Sequence, residues 1–279
     1  MQWLTGMAAM AATLLTLTPP AVAAPIPWVG TADYSAGPFG DLADGDLVGP
    51  FDAYDAGPGV ALTLGVGSAT VGSTLNGYFQ SYVTAHTRNS VAVTAPNLNT
   101  QGAASAGAGY ELTVAANFTE EVTAINGGQS DFKITGGHFD LFLDKSPDYS
   151  FGGDSGFTND GSILTGTVVG GGGNFTTFPF FSFGGALIDI QIDSYDPDVF
   201  SPDTIASGLS VFTLQITPNN ANFLAGVSSV LGHPYTASSD LLVVADSNLD
   251  LYAVPEPLSL LLVGSVGAGL LVLRRRQRG

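Results

Sequence analysis

Tyr110-Glu111-Leu112-Thr113-Val114-Ala115-Ala116-Asn117-Phe118 is the stretch that decides the fold. Tyr110, Leu112, Val114, Ala116 and Phe118 fall on one face of an extended chain, and Glu111, Thr113, Ala115, Asn117 and Thr119 on the other. Side chains alternate across a strand, so a period of two predicts a strand with one face in a core. The period recurs further on. Phe139, Leu141 and Leu143 alternate with His138, Asp140, Phe142 and Asp144; Ile188, Ile190 and Ile192 with Asp189, Gln191 and Asp193; Phe212, Leu214 and Ile216 with Thr213, Gln215 and Thr217. Ala61–Val66 and Tyr78–Val83 read as a pair of strands. Leu241–Ala245 is a continuous apolar run, as a buried strand would be. Helical texture outside the termini is confined to Asn219–Leu231, and Gly170–Gly173 reads as a hinge or long turn between strands. The expectation is an all-β domain over 60–253, a β-sandwich with the jelly roll among its forms, strand order left open. A Pro/Gly/Asp-rich segment, 24–59, precedes it.

Composition narrows the function. The chain has 279 residues; without its terminal segments roughly 230 remain, enough for one large β domain or two small ones. No cysteine is present, so disulfides and thiolate chemistry are excluded. All 24 acidic residues lie between Asp33 and Glu256, opposed there only by Arg88, Lys133 and Lys145, which puts the body near −21. Nucleic acid is not an expected partner, because phosphate contacts need a basic face. An acidic surface suits solubility, repulsion from anionic polymers, or bridging by divalent cations.

The termini read as addresses. Residues 1–23 have the order of a secretory signal peptide with a signal helix: an apolar run from Trp3 to Leu17, a Pro19-Pro20 break, and small residues Ala21 and Ala23 for cleavage after Ala23. No Lys or Arg precedes the run, which leaves the terminal amine as the positive charge. Signal peptidase and the Sec export machinery are the implied partners. At the other end, Val254-Pro255-Glu256-Pro257 is followed by an uncharged apolar segment, Leu258 to Leu273, and by Arg274, Arg275, Arg276 and Arg278. The prolines keep helix from propagating backwards. The apolar segment as helix reaches about 24 Å, a little short of a hydrocarbon core of about 30 Å, and arginines can snorkel to cover the deficit. A transmembrane helix with its basic end in the cytoplasm is expected.

Residues 254–279 resemble the PEP-CTERM sorting signal of Gram-negative bacteria, in which V-P-E-P, a Gly/Leu-rich membrane helix and an Arg-rich end follow in that order. The resemblance implies processing by an exosortase near the Pro-Glu-Pro. It further implies a membrane-anchored precursor and delivery to the cell surface or the extracellular polysaccharide matrix. YELTVAANFTEEV (Tyr110 to Val122) and FKITGGHFDLFLDKSPD (Phe132 to Asp148), ahead of a terminal sorting signal, resemble the flocculation-associated subgroup of such proteins. That likeness implies a non-enzymatic role with exopolysaccharide in cell aggregation, in flocs or biofilm. A carbohydrate-binding module or carbohydrate-active enzyme on the same sandwich is the alternative.

Catalytic constellations are thin, and no catalytic residue is assigned. Gly153-Asp154-Ser155-Gly156 and Ala85-His86 match fragments of the trypsin-like serine protease motifs. Phe157-Thr158 stands where Gly-Pro should follow, and Thr87 where Cys should. A turn built on Asp154 and Gly156 is the expectation. His86, His138 and His233 have no zinc-ligand spacing. His138 and Asp140 share a strand face as a solvent-side pair. Phe175, Phe178, Phe180, Phe181 and Phe183 can pack in a core or stack on sugars. No cofactor is expected except calcium at Asp41, Asp44 and Asp46, whose spacing is not that of an EF-hand; turn aspartates are the ordinary reading.

Overall fold

The strand pattern that begins at Tyr110 runs on to Asn126, with its burial alternating as far as Val122. In a computed structural model, which describes residues 26–36, 46–100, 109–145, 147–159, 161–177, 182–205, 209–216 and 223–253, it forms one of eight long strands. They are β1 (Ala53–Leu64), β2 (Thr74–Arg88), β3 (Glu111–Asn126), β4 (Gln129–Asp144), β5 (Gly161–Thr177), β6 (Ser182–Tyr195), β7 (Leu209–Ile216) and β8 (Leu241–Asp250). Each pairs antiparallel with the next, and β8 pairs back onto β1 from Asp250↔Ala53 to Leu241↔Thr63.

This ring overturns the expected sandwich. The fold is a closed, up-and-down, eight-stranded β-barrel. Period-two patterning reports one buried face, and sandwiches and barrels share that demand. Closure depends on strand length, bends and register shifts instead. Shifts occur at Thr119/Glu120 and Val122/Ala124 in β3–β4, at Asp189/Ile190 in β5–β6 and at Ala245/Ser247 in β8–β1. The glycine run 170–173, expected as a hinge, lies inside β5 and pairs on both sides, Gly172 with Lys133 and Leu187. Gly171 sits at φ +135, where a Cβ would come within 2.3 Å of the Leu187 carbonyl. Glycine there lets the sheet bend.

The barrel interior holds the inward set read from the sequence. Leu112, Val114, Phe139, Leu141, Leu143, Ile188 and Ile190 are buried, and the Phe212 ring meets Phe79 at 5.6 Å and Phe139 at 5.2 Å. Strand β3 differs in one respect: Glu111, Thr113 and Ala115, on its outer face, are buried too. The segment 147–159 covers them, and Thr113 Oγ1 donates to the Phe157 carbonyl. A second apolar cluster lies on the outer face around Val60 and Leu62, where Val227 and Val230 pack with Phe151, Phe223 and Leu242. The helical texture at 219–231 is turn and short strand where it is described, from 223 onward.

One end of the barrel is plugged. Gly30–Asp33, Leu47–Phe51 and Phe200–Ser201 form a three-stranded antiparallel sheet there. Trp28, Tyr34, Val48 and Phe51 join the barrel core from it. Trp28 packs edge-on against Phe51 at 5.4 Å and donates its indole N–H to the Pro202 carbonyl. The expected signal helix of 1–23 and membrane helix of 254–279 lie outside the described residues. Among the described residues the sole helix is the 3-10 turn Val66–Ser68, and none is long and apolar enough to cross a membrane.

Gly77 faces inward opposite Phe118, whose ring would stand 2.3 Å from any added Cβ. Gly77→Val should therefore destabilise the barrel by about 1–3 kcal/mol through overpacking, read as a lower urea midpoint with an unchanged slope.

Candidate functional site

At the end opposite the plug, positions on all eight strands surround a cavity of about 70 Å³. Ala61, Leu75, Phe118, Phe175, Leu214 and Val243 line it, and Val66 and Ala69 of the β1–β2 connection join them. Small side chains such as Ala186 and Ala245 leave the space that larger ones would fill. A water needs about 10–15 Å³ of such room, so the cavity takes several waters or the end of one alkyl chain.

One carboxylic acid stands in this wall. Glu120 continues the inward series of β3 one step past Phe118, with Leu75 opposite on β2 and Ile134 opposite on β4. It is 6% exposed, and no hydrogen bond or ion pair joins its carboxyl to another described residue. Burial alone pushes its pKa from 4.5 up to about 7. A buried carboxylate without a partner is disfavoured, so the group is poised between a neutral acid that donates a hydrogen bond and an anion that wants a cation. The sequence reading stopped at Phe118 and missed it. Carrying the same alternation two residues further would have flagged an acid on an apolar face.

The plugged end is a packed polar cluster rather than a cavity. The Tyr34 hydroxyl lies 2.5 Å from His86 Nε2 and 3.1 Å from the Tyr54 hydroxyl. Burial lowers the His86 pKa to about 3, so the ring is neutral and Tyr34 can donate to it. Asp46 is buried there, accepts from Asn97 Nδ2 at 2.5 Å, and has its pKa raised mainly by burial. Asp41 and Asp44, the other two calcium candidates, lie outside the described residues. The acidic group that the fold does assemble is Glu111, Asp144 and Asp148, on the outer wall.

The serine protease fragments are not brought together. His86 is inside the plug, whereas Ser155 lies in an outer turn bridged to Ser150. Asp154 has the expected turn role: its carboxylate accepts the Leu231 and Gly232 N–H groups at 2.9 and 2.8 Å, tying the two covering segments together. His138 Nε2 and Asp140 Oδ2 are 3.0 Å apart on the outer face of β4. Phe175 lines the barrel-end cavity, and Phe183 is exposed. Phe178, Phe180 and Phe181 lie outside the described residues. So do Ala21 and Ala23, Val254 to Pro257, and Arg274, Arg275, Arg276 and Arg278.

A second concavity, about 530 Å³, lies on the outer wall near the plug. Asp52, Asp55 and Asp250 line it with Asn89, Asn248 and Tyr252. Burial first, then Asp246, raises the Asp55 pKa; burial first, then Asp52, raises that of Asp250. Carboxylates and amides in this mixture offer paired acceptors and donors suited to vicinal hydroxyls. Comparison with known proteins gives no matching family model, curated protein or solved structure. The site has to be read from its own chemistry.

Because folding favours the protonated form of Glu120, its ionisation costs stability as pH rises from 4.5 to about 7, and the cost is constant outside that window. The shift corresponds to about 3 kcal/mol. Glu120→Gln should match the wild type in stability at acidic pH and exceed it by that order above neutrality, measured by denaturant unfolding across pH.

Proposed function

We propose that this chain is an exported surface or matrix protein whose barrel acts without catalysis, holding a small apolar group in its end cavity. The observation that carries the binding role is that cavity: an apolar pocket walled by inward strand positions, with the single acid Glu120 to orient a ligand's basic or hydroxyl group. Pockets of this kind, mostly apolar with a few placed polar groups, are the usual form of small-molecule sites. The export role rests on the terminal segments, whose Pro-Glu-Pro, apolar run and arginine cluster resemble a PEP-CTERM signal.

An aliphatic-tailed fluorescent amine titrated into the purified chain tests the binding role. Wild type should enhance its emission, and Ala186→Phe, which fills the cavity, should weaken binding by tenfold or more; equal binding by both removes the proposal. Export is tested separately by mass and fractionation in cells with and without an exosortase. Loss of the segment after Pro257, with release only when that enzyme is present, is expected, and an uncut tail in both strains counts against it.

The outer groove favours a second reading, in which the protein binds exopolysaccharide and serves cell aggregation. Asp52, Asp55 and Asp250 with two asparagines and Tyr252 supply the polar and aromatic contacts that a sugar needs. Asp250→Ala should then lower retention on matrix polysaccharide while leaving amine binding unchanged, and unchanged retention would rule the groove out.

A further inference from the structure

We propose that Glu111, Asp144 and Asp148 hold a calcium ion that fastens the segment 147–159 to the barrel wall. Glu111 and Asp144 stand directly opposite each other across the β3–β4 ladder. Like charges in that position repel at the shortest distance that a sheet allows. Both are buried, Glu111 completely, while Asp148 is exposed. One ligand oxygen from each of the three lies within 4.8 Å of the others.

A separate observation points to a ligand. Glu111 Oε1 accepts the Asp148 backbone N–H at 3.1 Å, but Oε2 is buried with no hydrogen-bond partner. A fully buried carboxylate oxygen left bare is costly and is normally met by a proton donor or a metal. The nearby amide of Asn159 is already spent on the other two acids, donating to Asp144 Oδ2 at 2.6 Å and to Asp148 Oδ1 at 3.3 Å. Of the few cations in the body, Lys133 is paired with Glu121 at 2.8 Å. No ion pair to Glu111 or Asp148 forms among the described residues.

The donor set chooses the ion. Three carboxylates with no histidine or cysteine suit a hard cation, not zinc. Calcium accepts irregular coordination of six to eight oxygens, and the exposed Asp148 side admits the waters that complete it; magnesium demands a near-octahedral set. The consequence is local order. Asp148 opens the segment whose Tyr149 stacks on Tyr82 at 4.2 Å and whose Phe151 meets Phe223 at 5.0 Å. An ion joining Asp148 to Glu111 and Asp144 holds that cover at its root.

The test is calorimetric titration of the chelator-treated full chain with calcium chloride and, separately, magnesium chloride, with thermal midpoints recorded alongside. A single saturable calcium site and a raised midpoint are expected. Asp148→Asn should cut the affinity by tenfold or more. Glu111→Gln, which removes the opposed charge, should raise the metal-free midpoint and abolish the calcium response; Asp198→Asn, an exposed acid elsewhere, should do neither. No heat and no midpoint shift up to about 10 mM calcium, tenfold above the weak end of extracellular calcium modules, would overturn the proposal. So would wild-type affinity in Asp148→Asn, or saturation by magnesium alone.

Discussion

The pairing of Ala53–Leu64 with Leu241–Asp250 is the constraint on which the rest depends. It joins the first long strand to the last, so its loop-closure cost falls on almost the whole domain. No disulfide shares that cost, since the chain has no cysteine. What offsets it is the interior that closure creates. Once the ring is shut, inward residues of distant strands meet, as Phe79, Phe139 and Phe212 do. The ring also removes its own sheet edges, which an exposed β protein must otherwise guard.

Closure leaves two ends, and the chain treats them differently. At one, aromatic residues from Trp28 to Phe51 fill the interior together with the hydrogen-bonded group of Tyr34, Tyr54 and His86. At the other, alanines and an unpartnered acid stand where bulky apolar side chains would have completed the core. Filling the space with larger hydrophobic residues would be the stabilising choice. A cavity placed at one end, with the other end densely packed, reads as a site kept at some expense of stability.

Strands and their faces were legible in the sequence because alternation is a local property. Leu112, Leu141 and Ile190 could be placed inward from their neighbours alone. The ring was not legible, because a pattern with one buried face does not say whether that face meets a second sheet or its own continuation. The glycine run was misread for a related reason. Glycine marks turns, but it also marks bends within strands, and only the partners of Gly172 on both sides distinguish them. The sequence groups its cation candidates, Asp41, Asp44 and Asp46, by proximity along the chain. The fold instead brings Glu111 to Asp144 across a hairpin. Glu120 lay in plain view within a recognised strand pattern, one alternation beyond the quoted stretch.

Glu111 and Glu120 show how neighbours, not residue type, set the chemistry of a buried acid. Both are pushed up to about 7, first by burial. Around Glu120 the wall is apolar, and a single proton relieves the whole penalty. A ligand there has only to replace that proton, with an ammonium or a hydroxyl, and bring an apolar tail to match the wall. Around Glu111, Asp144 and Asp148 add their own repulsion. One proton there neutralises one acid of three and leaves two carboxylates within ligand distance of each other. A divalent ion neutralises more of that charge in one step and supplies the missing partner of Glu111 Oε2. The same side chain thus calls for an apolar amine or alcohol inside the barrel and for a hard metal ion outside it.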